Sequence, residues 1–475
     1  DLLDVSGSEV SYNIITLNNP TDSTNVFWDS ELSDISDLIF SHNIVSGSSG
    51  SEVAFLNDAW GLGDPDTTTE FVTISENTFS NWGSKALRID EGVTEVEINN
   101  NVFEMTSDTT EVIGGTGTGD ATGTGNTFNV NSPAKIQKAI DATFAGDTIN
   151  VAAGTYTEDL WIEGKDNLEL SGAEGAIIKG TTLVDDSLGY YADGPNIMIL
   201  SEGVKIHGFT IESKNSEVGK HPVGIVLNSN DVEIYNNQFN VAVGDLSLDY
   251  AVAIVSYCDN SICSTPVSSD ISGLNIHNND FTSLSGTGNY QAIYLNPDTG
   301  TDLVTIKDNT FGGSLARAIA NERSNVLIQG NDVSTTLDSS NTFQGISAKN
   351  WWIQSISDID ITGNSVDGFG KGIRIGPDTS DIIVKSNSLT NNIIAVSNEN
   401  SGQLDAERNY WGSVAPDFGS IVSGDVDFIP WCADESCETL FGGVTISVSD
   451  DFTLGGNEPF SPALGDSLFR NSVAY

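Results

Sequence analysis

Few residues in this 475-residue chain have the type and spacing to do chemistry. Four Arg precede its last hundred residues: Arg88, Arg317, Arg323 and Arg374. Two lie in RAIANER (317–323) and one in GIRIGPD (372–378), where Asp378 follows Arg374 closely. The adjacent pairs Asp185–Asp186 and Asp450–Asp451 have the residue types for paired acid and base roles. DPDTT (64–68), NPDTG (296–300) and GPDTS (376–380) could take Ca²⁺, although Asp after Pro is ordinary turn chemistry. No other cofactor is implied, and no metal set is assigned. His42, His207, His221 and His277 show no HxH or HExxH spacing and read as surface residues. Neither a phosphate loop nor a nucleophile elbow occurs, so the catalytic residues stay unassigned. Trp351–Trp352 could stack on sugar rings, but neighbours in a strand point opposite ways, which puts one of them in the core.

Four Cys form two local pairs, Cys258 with Cys263 in CDNSIC and Cys432 with Cys437 in CADESC. Zinc sites space near ligands more closely and recruit His, so two small-loop disulfides and an oxidising, extracellular or cell-surface compartment are expected. Lys and Arg total 18 against 67 Asp and Glu, a net charge of −49. Such a surface repels nucleic acid and anionic lipid. It also argues against anionic polysaccharide unless Ca²⁺ bridges the two. Hydrophobic residues make up 38%, enough for a core, and no run of 18 apolar residues could span a membrane. The start at Asp1, without Met or a basic leader, reads as mature or trimmed protein. The only N-x-S/T match places Pro20 after Asn19, which disfavours a heavy N-glycan coat.

What must position any site is a repeat. An apolar residue, two mostly polar ones, Asn, any residue and an apolar residue recur as ISENTF (74–79), INNNVF (98–103), IYNNQF (234–239), IHNNDF (276–281), IKDNTF (306–311), IQGNDV (328–333), ITGNSV (361–366) and VKSNSL (384–389). FSHNIV (40–45) is an early copy and AERNYW (406–411) a late one. The repeating Asn are Asn77, Asn101, Asn237, Asn279, Asn309, Asn331, Asn364, Asn387 and Asn409, with Asn126 in GNTF. Their commonest steps, 24 from Asn77 to Asn101, 22 from Asn309 to Asn331 and 23 from Asn364 to Asn387, mean a solenoid. Longer steps leave room for insertions at 240–275 and 333–358. Short Val-, Ile- and Phe-rich strands stacked at about 4.8 Å would ladder their aliphatics inward. Asn tolerates a left-handed backbone and can bond along a column, so these Asn are read as a turn ladder, scaffold rather than chemistry.

The repeat is interrupted once. AKIQKAIDATF (134–144) places Ile136, Ala139, Ile140 and Phe144 on one face, an amphipathic helix ended by Gly146 and suited to lid a coil stack. The stretch 136–162, with its IQKAID, GDTI and GTYTE elements, resembles the opening of pectate-lyase-superfamily proteins. The Asn repeats resemble that superfamily's parallel β-helix repeat, and NYWGS (409–413) with VDFIPW (426–431) resembles its closing segment. The resemblance implies an all-β, right-handed parallel β-helix with a short capping helix near 134–144. It carries no activity, because the Arg-Pro-x-x-Arg, Asp-His and Gly-His-Gly motifs of its enzymes are missing.

Three segments are expected: coils without an evident lid at 1–130, the main β-helix at 131–437, and a tail at 438–475 able to exchange a strand. Together these favour an extracellular structural protein, a fibre subunit that self-associates end to end, or an adhesin. The competing readings are a carbohydrate-active enzyme (polysaccharide lyase or hydrolase) on the same scaffold and a non-catalytic protein bound to surface glycans.

Overall fold

The computed structural model describes residues 7–16, 24–25, 35–47, 51–55, 69–83, 85–89, 93–108, 111–115, 121–182, 184–185, 195–213, 220–241, 250–256, 271–282, 289–297, 300–336, 343–349 and 355–442. The protein is all-β, with long, wholly parallel sheets, a short helix at the expected place and a single helical turn at Phe418–Ile421, a parallel β-helix solenoid. It divides into two compact units: Asp1–Ala242 with Ala253–Asp259 and Ser269–Asp280, and Val243–Val252 with Asn260–Ser268 and Phe281–Tyr475.

In the first unit the chain circles through three sheets. The first stacks Glu9–Ser11, Ile35–Ser41, Thr69–Ser75, Val93–Asn99 and Ala121–Thr124. The second stacks Ile14–Thr16, Ile44–Ser46, Thr78–Ser80, Val102–Met105 and Thr127–Val130. The third includes Ser51–Phe55, Leu87–Ile89 and Ile113–Gly114. Parallel in-register pairing brings like residues above one another, so Phe40, Phe79, Phe103 and Phe128 stack inward at 6.4, 5.1 and 4.8 Å between ring centroids.

The buried Asn link successive coils. The Oδ1 of each accepts from both the backbone N–H and the Nδ2 of the Asn one coil earlier, as Asn77 does from Asn43 and Asn101 does from Asn77. The Nδ2 also donates to a backbone carbonyl, so amide and corner are satisfied together. The left-handed residue at the corner is the one before Asn, not Asn itself: His42, Glu76 and Asn100 all have φ of 56°. The turn therefore accepts varied residues, while the amide is required for the bonds that cross between coils.

The column does not run straight through the unit. Asn126 donates to Asp147, which stands at the next Asn position and ends the first column. Thr148–Val151 then stacks on Thr127–Val130 and extends the second sheet, followed by Glu169–Gly172, Lys205–His207, Glu233–Tyr235 and Asn275–His277. From this point the Asn-x-x motif sits at the corner leaving that sheet rather than the one entering it. Phe209 N–H donates to Asn237 Oδ1, and Asn237 donates to Asn279. A single repeat in sequence is thus two ladders in space, offset by one strand of the coil.

The helix Ile136–Ala142 sits where the offset occurs, burying Ile136, Ala139, Ile140 and Ala142. Its ends are capped by residues one coil on. Glu158 accepts from the N–H groups of Ile136 and Gln137, both at 3.0 Å, and Lys165 Nζ donates to the carbonyls of Asp141 and Thr143. The helix stops two residues before Phe144, which lies instead against the strand of Gly123, where a Cβ would meet its ring at 2.8 Å.

The second unit repeats the three-sheet coil. One sheet holds Val304–Lys307, Val326–Gln329, Ile356–Thr362 and Thr379–Lys385. The next holds Thr310–Phe311, Asp332–Ser334, Ser365–Asp367 and Ser388–Thr390. The third holds Asn289–Leu295, Arg317–Asn321, Gln344–Ala348, Lys371–Ile375 and Ile394–Asn398. Its Asn column runs Asn309, Asn331, Asn364, Asn387, Asn409. After the last coil, Trp431–Cys432 pairs antiparallel with Leu440–Phe441, and the Cys432–Cys437 disulfide closes that hairpin. Trp411, Phe418, Phe428 and Trp431 cluster beside it. Cys258, Cys263 and the tail from 443 onward lie outside the described residues.

Candidate functional site

The third sheet of the second unit positions the best candidate site. A column of Ile293, Ile319, Ile346, Ile373 and Val396, all fully buried, fixes its register from inside. That register sets two further rows, Gln291–Arg317–Gln344–Lys371 and Tyr294–Ala320–Ser347–Arg374–Ser397. Just past the strands, Glu322, Lys349, Gly376 and Glu399 follow one another coil by coil, each N–H donating to the coil before.

These rows converge on Glu399. Its carboxylate accepts from Arg374 Nε at 2.8 Å and Nη2 at 2.9 Å, a two-point pair, and from Lys371 Nζ at 2.9 Å. Lys349 Nζ stands 4.0 Å from the same carboxylate. Gly376 lies between them, and any Cβ there would come within 2.5 Å of the Lys349 side chain. Burial alone would raise the pKa of Glu399, but the bonds from Arg374 and Lys371 outweigh it and hold the acid at about 2. Lys349 moves the other way. Burial, then the charges of Arg374, Lys371 and Arg317, lower its pKa, with Glu399 opposing them. Beside this cluster, Tyr294 donates to the buried Glu322 carboxylate at 2.8 Å, and the Oε1 of buried Gln291 has no hydrogen-bond partner.

The structure therefore brings Arg317 and Arg374 into one strip and sends the other candidates elsewhere. Arg323 is buried and donates to the carbonyls of Ser324, Gly300 and Asp302, pinning a corner. Asp378 is an exposed corner residue with φ of 57°, and Arg374 donates to Glu399. Arg88 lies in the first unit, in Leu87–Ile89. Asp185 sits in a short strand paired antiparallel with Lys220–His221. Asp186, Asp450, Asp451, Trp351, Trp352 and DPDTT lie outside the described residues. Among the described residues no group of three or more His, Cys, Asp or Glu is placed to hold a metal. No described helix is long and apolar enough to cross a membrane.

Three His link neighbouring coils. His42 meets Glu76 at 2.8 Å and stacks on Tyr12, while His207 and His277 sandwich Tyr235 and reach Glu169 and Glu233. Lys349 and Glu399 escaped the sequence reading because neither lies in a motif; their one signal is a shared position directly after a strand of the same sheet. Compared with known proteins, the chain matches no protein-family model and no curated protein.

Proposed function

We propose that this chain is an extracellular glycan-binding protein, kin to the pectate-lyase-like β-helix proteins, whose cation strip takes the carboxylates or sulfates of an acidic polysaccharide. The observation that carries this reading is the convergence of Lys349, Lys371 and Arg374 on one carboxylate, with the charge of Arg317 acting on Lys349, in a chain with only 18 Lys and Arg and a net charge of −49. A polyanion repelled by the net acidic chain would be favoured at this cationic strip. The disulfide agrees with an oxidising compartment.

The test is retention on immobilised polygalacturonate and a sulfated glycan at low salt. Removing two positive charges with Lys371→Gln and Arg374→Gln together is expected to weaken binding by about tenfold or more, with circular dichroism unchanged. Equal binding by the double variant, or none by the parent chain, would sink the reading. A second reading is favoured by the lowered pKa of Lys349. Lys349 would take the C5 proton of a uronate while Arg374 and Lys371 neutralise its carboxyl; the C–H electron pair would form the C4–C5 double bond as the C4–O bond breaks, and the leaving oxygen would take a proton from water. New ultraviolet absorbance from polygalacturonate, lost in Lys349→Met, distinguishes turnover from binding.

A further inference from the structure

Seven-residue strands in both units carry a left-handed residue at their third position, Asp358 and Asp381 in the second unit, but in the first sheet of the first unit one of these residues is a bulky Phe. Each long strand there contains one residue with a left-handed backbone: Asp37 at φ 57°, Phe71 at 58° and Glu95 at 51°. Asp is several-fold enriched in this conformation, whereas for a bulky side chain it is an outlier. Phe71 is also 46% exposed, so it gains little burial in return for the strain. Strain of this kind concentrates at ligand sites.

Phe71 stands in a groove of about 490 Å³, lined among the described residues also by Thr73, Thr94, Glu95, Glu97 and Thr122. The row Ile39–Thr73–Glu97–Thr122 runs along the coil axis beside it, and Ile39 is 41% exposed. The groove thus offers one open aromatic face, three hydroxyls and two carboxylates, in a volume that suits small ligands.

We infer that this groove binds an uncharged glycan, one pyranose ring stacking on Phe71 with its hydroxyls donating to Glu95 and Glu97 and bonding to the threonines. The apolar face of a pyranose matches an aromatic ring, and carboxylates accept from neighbouring hydroxyls. Two Glu in a chain of this charge exclude uronates and sulfated sugars, which separates the groove from the cation strip in ligand as well as in place.

The experiment is retention of the whole chain on immobilised neutral glycans (xyloglucan, mixed-linkage β-glucan, galactomannan), with polygalacturonate and chitosan for comparison. At least one neutral glycan should be retained, Phe71→Ala should weaken that binding by about tenfold or more, and Phe71→Trp should keep it. Phe71→Gly should lose binding yet melt at a higher temperature than the parent, because Gly adopts φ near 58° without strain. The Lys371→Gln, Arg374→Gln variant should bind the neutral glycan undiminished, so the two proposed sites can fail separately. Retention of no neutral glycan, equal binding by Phe71→Ala, or stronger binding to chitosan than to any neutral glycan overturns the assignment.

Discussion

Asn364→Ala is expected to lower the stability of the second unit by about 4 kcal/mol, among the largest losses any single polar substitution here should cause. Asn364 is 1% exposed. Its Oδ1 accepts from the backbone N–H of Asn331 at 3.0 Å and from the Asn331 Nδ2 at 2.9 Å. Its Nδ2 donates to the Ile328 carbonyl at 2.9 Å and to Asn387 Oδ1 at 3.0 Å. Alanine removes all four and leaves buried backbone groups on two coils without partners, each costing about 1–3 kcal/mol. Asn364→Asp keeps the acceptor for Asn331 but turns a second oxygen toward Asn387 Oδ1, so it should lose as much or more. Exposed Ser380→Ala, on the same solenoid but outside the column, should stay within about 0.5 kcal/mol. Urea unfolding of the three variants measures this. A loss below about 1 kcal/mol for Asn364→Ala would mean that the column is replaceable by water or by relaxation of the corner.

The same column shows what the sequence could disclose. A solenoid prints its period because each coil must repeat the same buried amide and the same inward aliphatics, so Asn77, Asn101 and Asn364 mark coils before any coordinate is known. The helix at 136–142 was legible for a similar reason, since its buried stripe lies within one segment. The offset between the two ladders was not. A left-handed residue, then Asn, then a strand is one local pattern that fits either corner of the sheet, and only stacking against the neighbouring coil decides which. Asp147 concealed the end of the first ladder by standing where an Asn would, one atom changed. The left-handed turn was placed one residue too late because Asn tolerates that backbone, whereas here it is kept for its side chain. The candidate site was legible only in its arginines. Arg317 and Arg374 stand out as rare cations, but Lys349 and the Arg374 partner Glu399 sit on outward positions, where burial imposes no period. Glu399 is paired with residues of an earlier coil, a relation fixed by register alone.

Acidification from pH 7 to pH 4 is expected to stabilise the first unit by about 2 kcal/mol through Asp147 alone. Asp147 is fully buried, and burial raises its pKa from 3.8 to about 6. Hydrogen bonds from the N–H groups of Phe144 and Asn126, both 2.8 Å, and from the Asn126 amide oppose that rise, as does the charge of Lys165. The direction follows from which state holds the proton more tightly. Because the folded chain does so, ionising Asp147 costs more there than in the unfolded chain. The penalty is absent below about pH 4, grows as pH rises between about 4 and 6, and is complete above the folded value. A chain of net charge −49 gains stability on acidification from lost repulsion as well, so the comparison must be with Asp147→Asn. That variant keeps an oxygen for Asn126 but turns an amide toward the Phe144 N–H, a cost that does not vary with pH. The difference in unfolding free energy between parent and variant should therefore slope between pH 4 and 6 and level off on either side. A flat difference would mean that the five amides from Asn13 to Asn126, all donating toward Asp147, stabilise its charge enough to cancel burial. The ladder would then act as an aligned dipole and not only as a set of neighbour bonds.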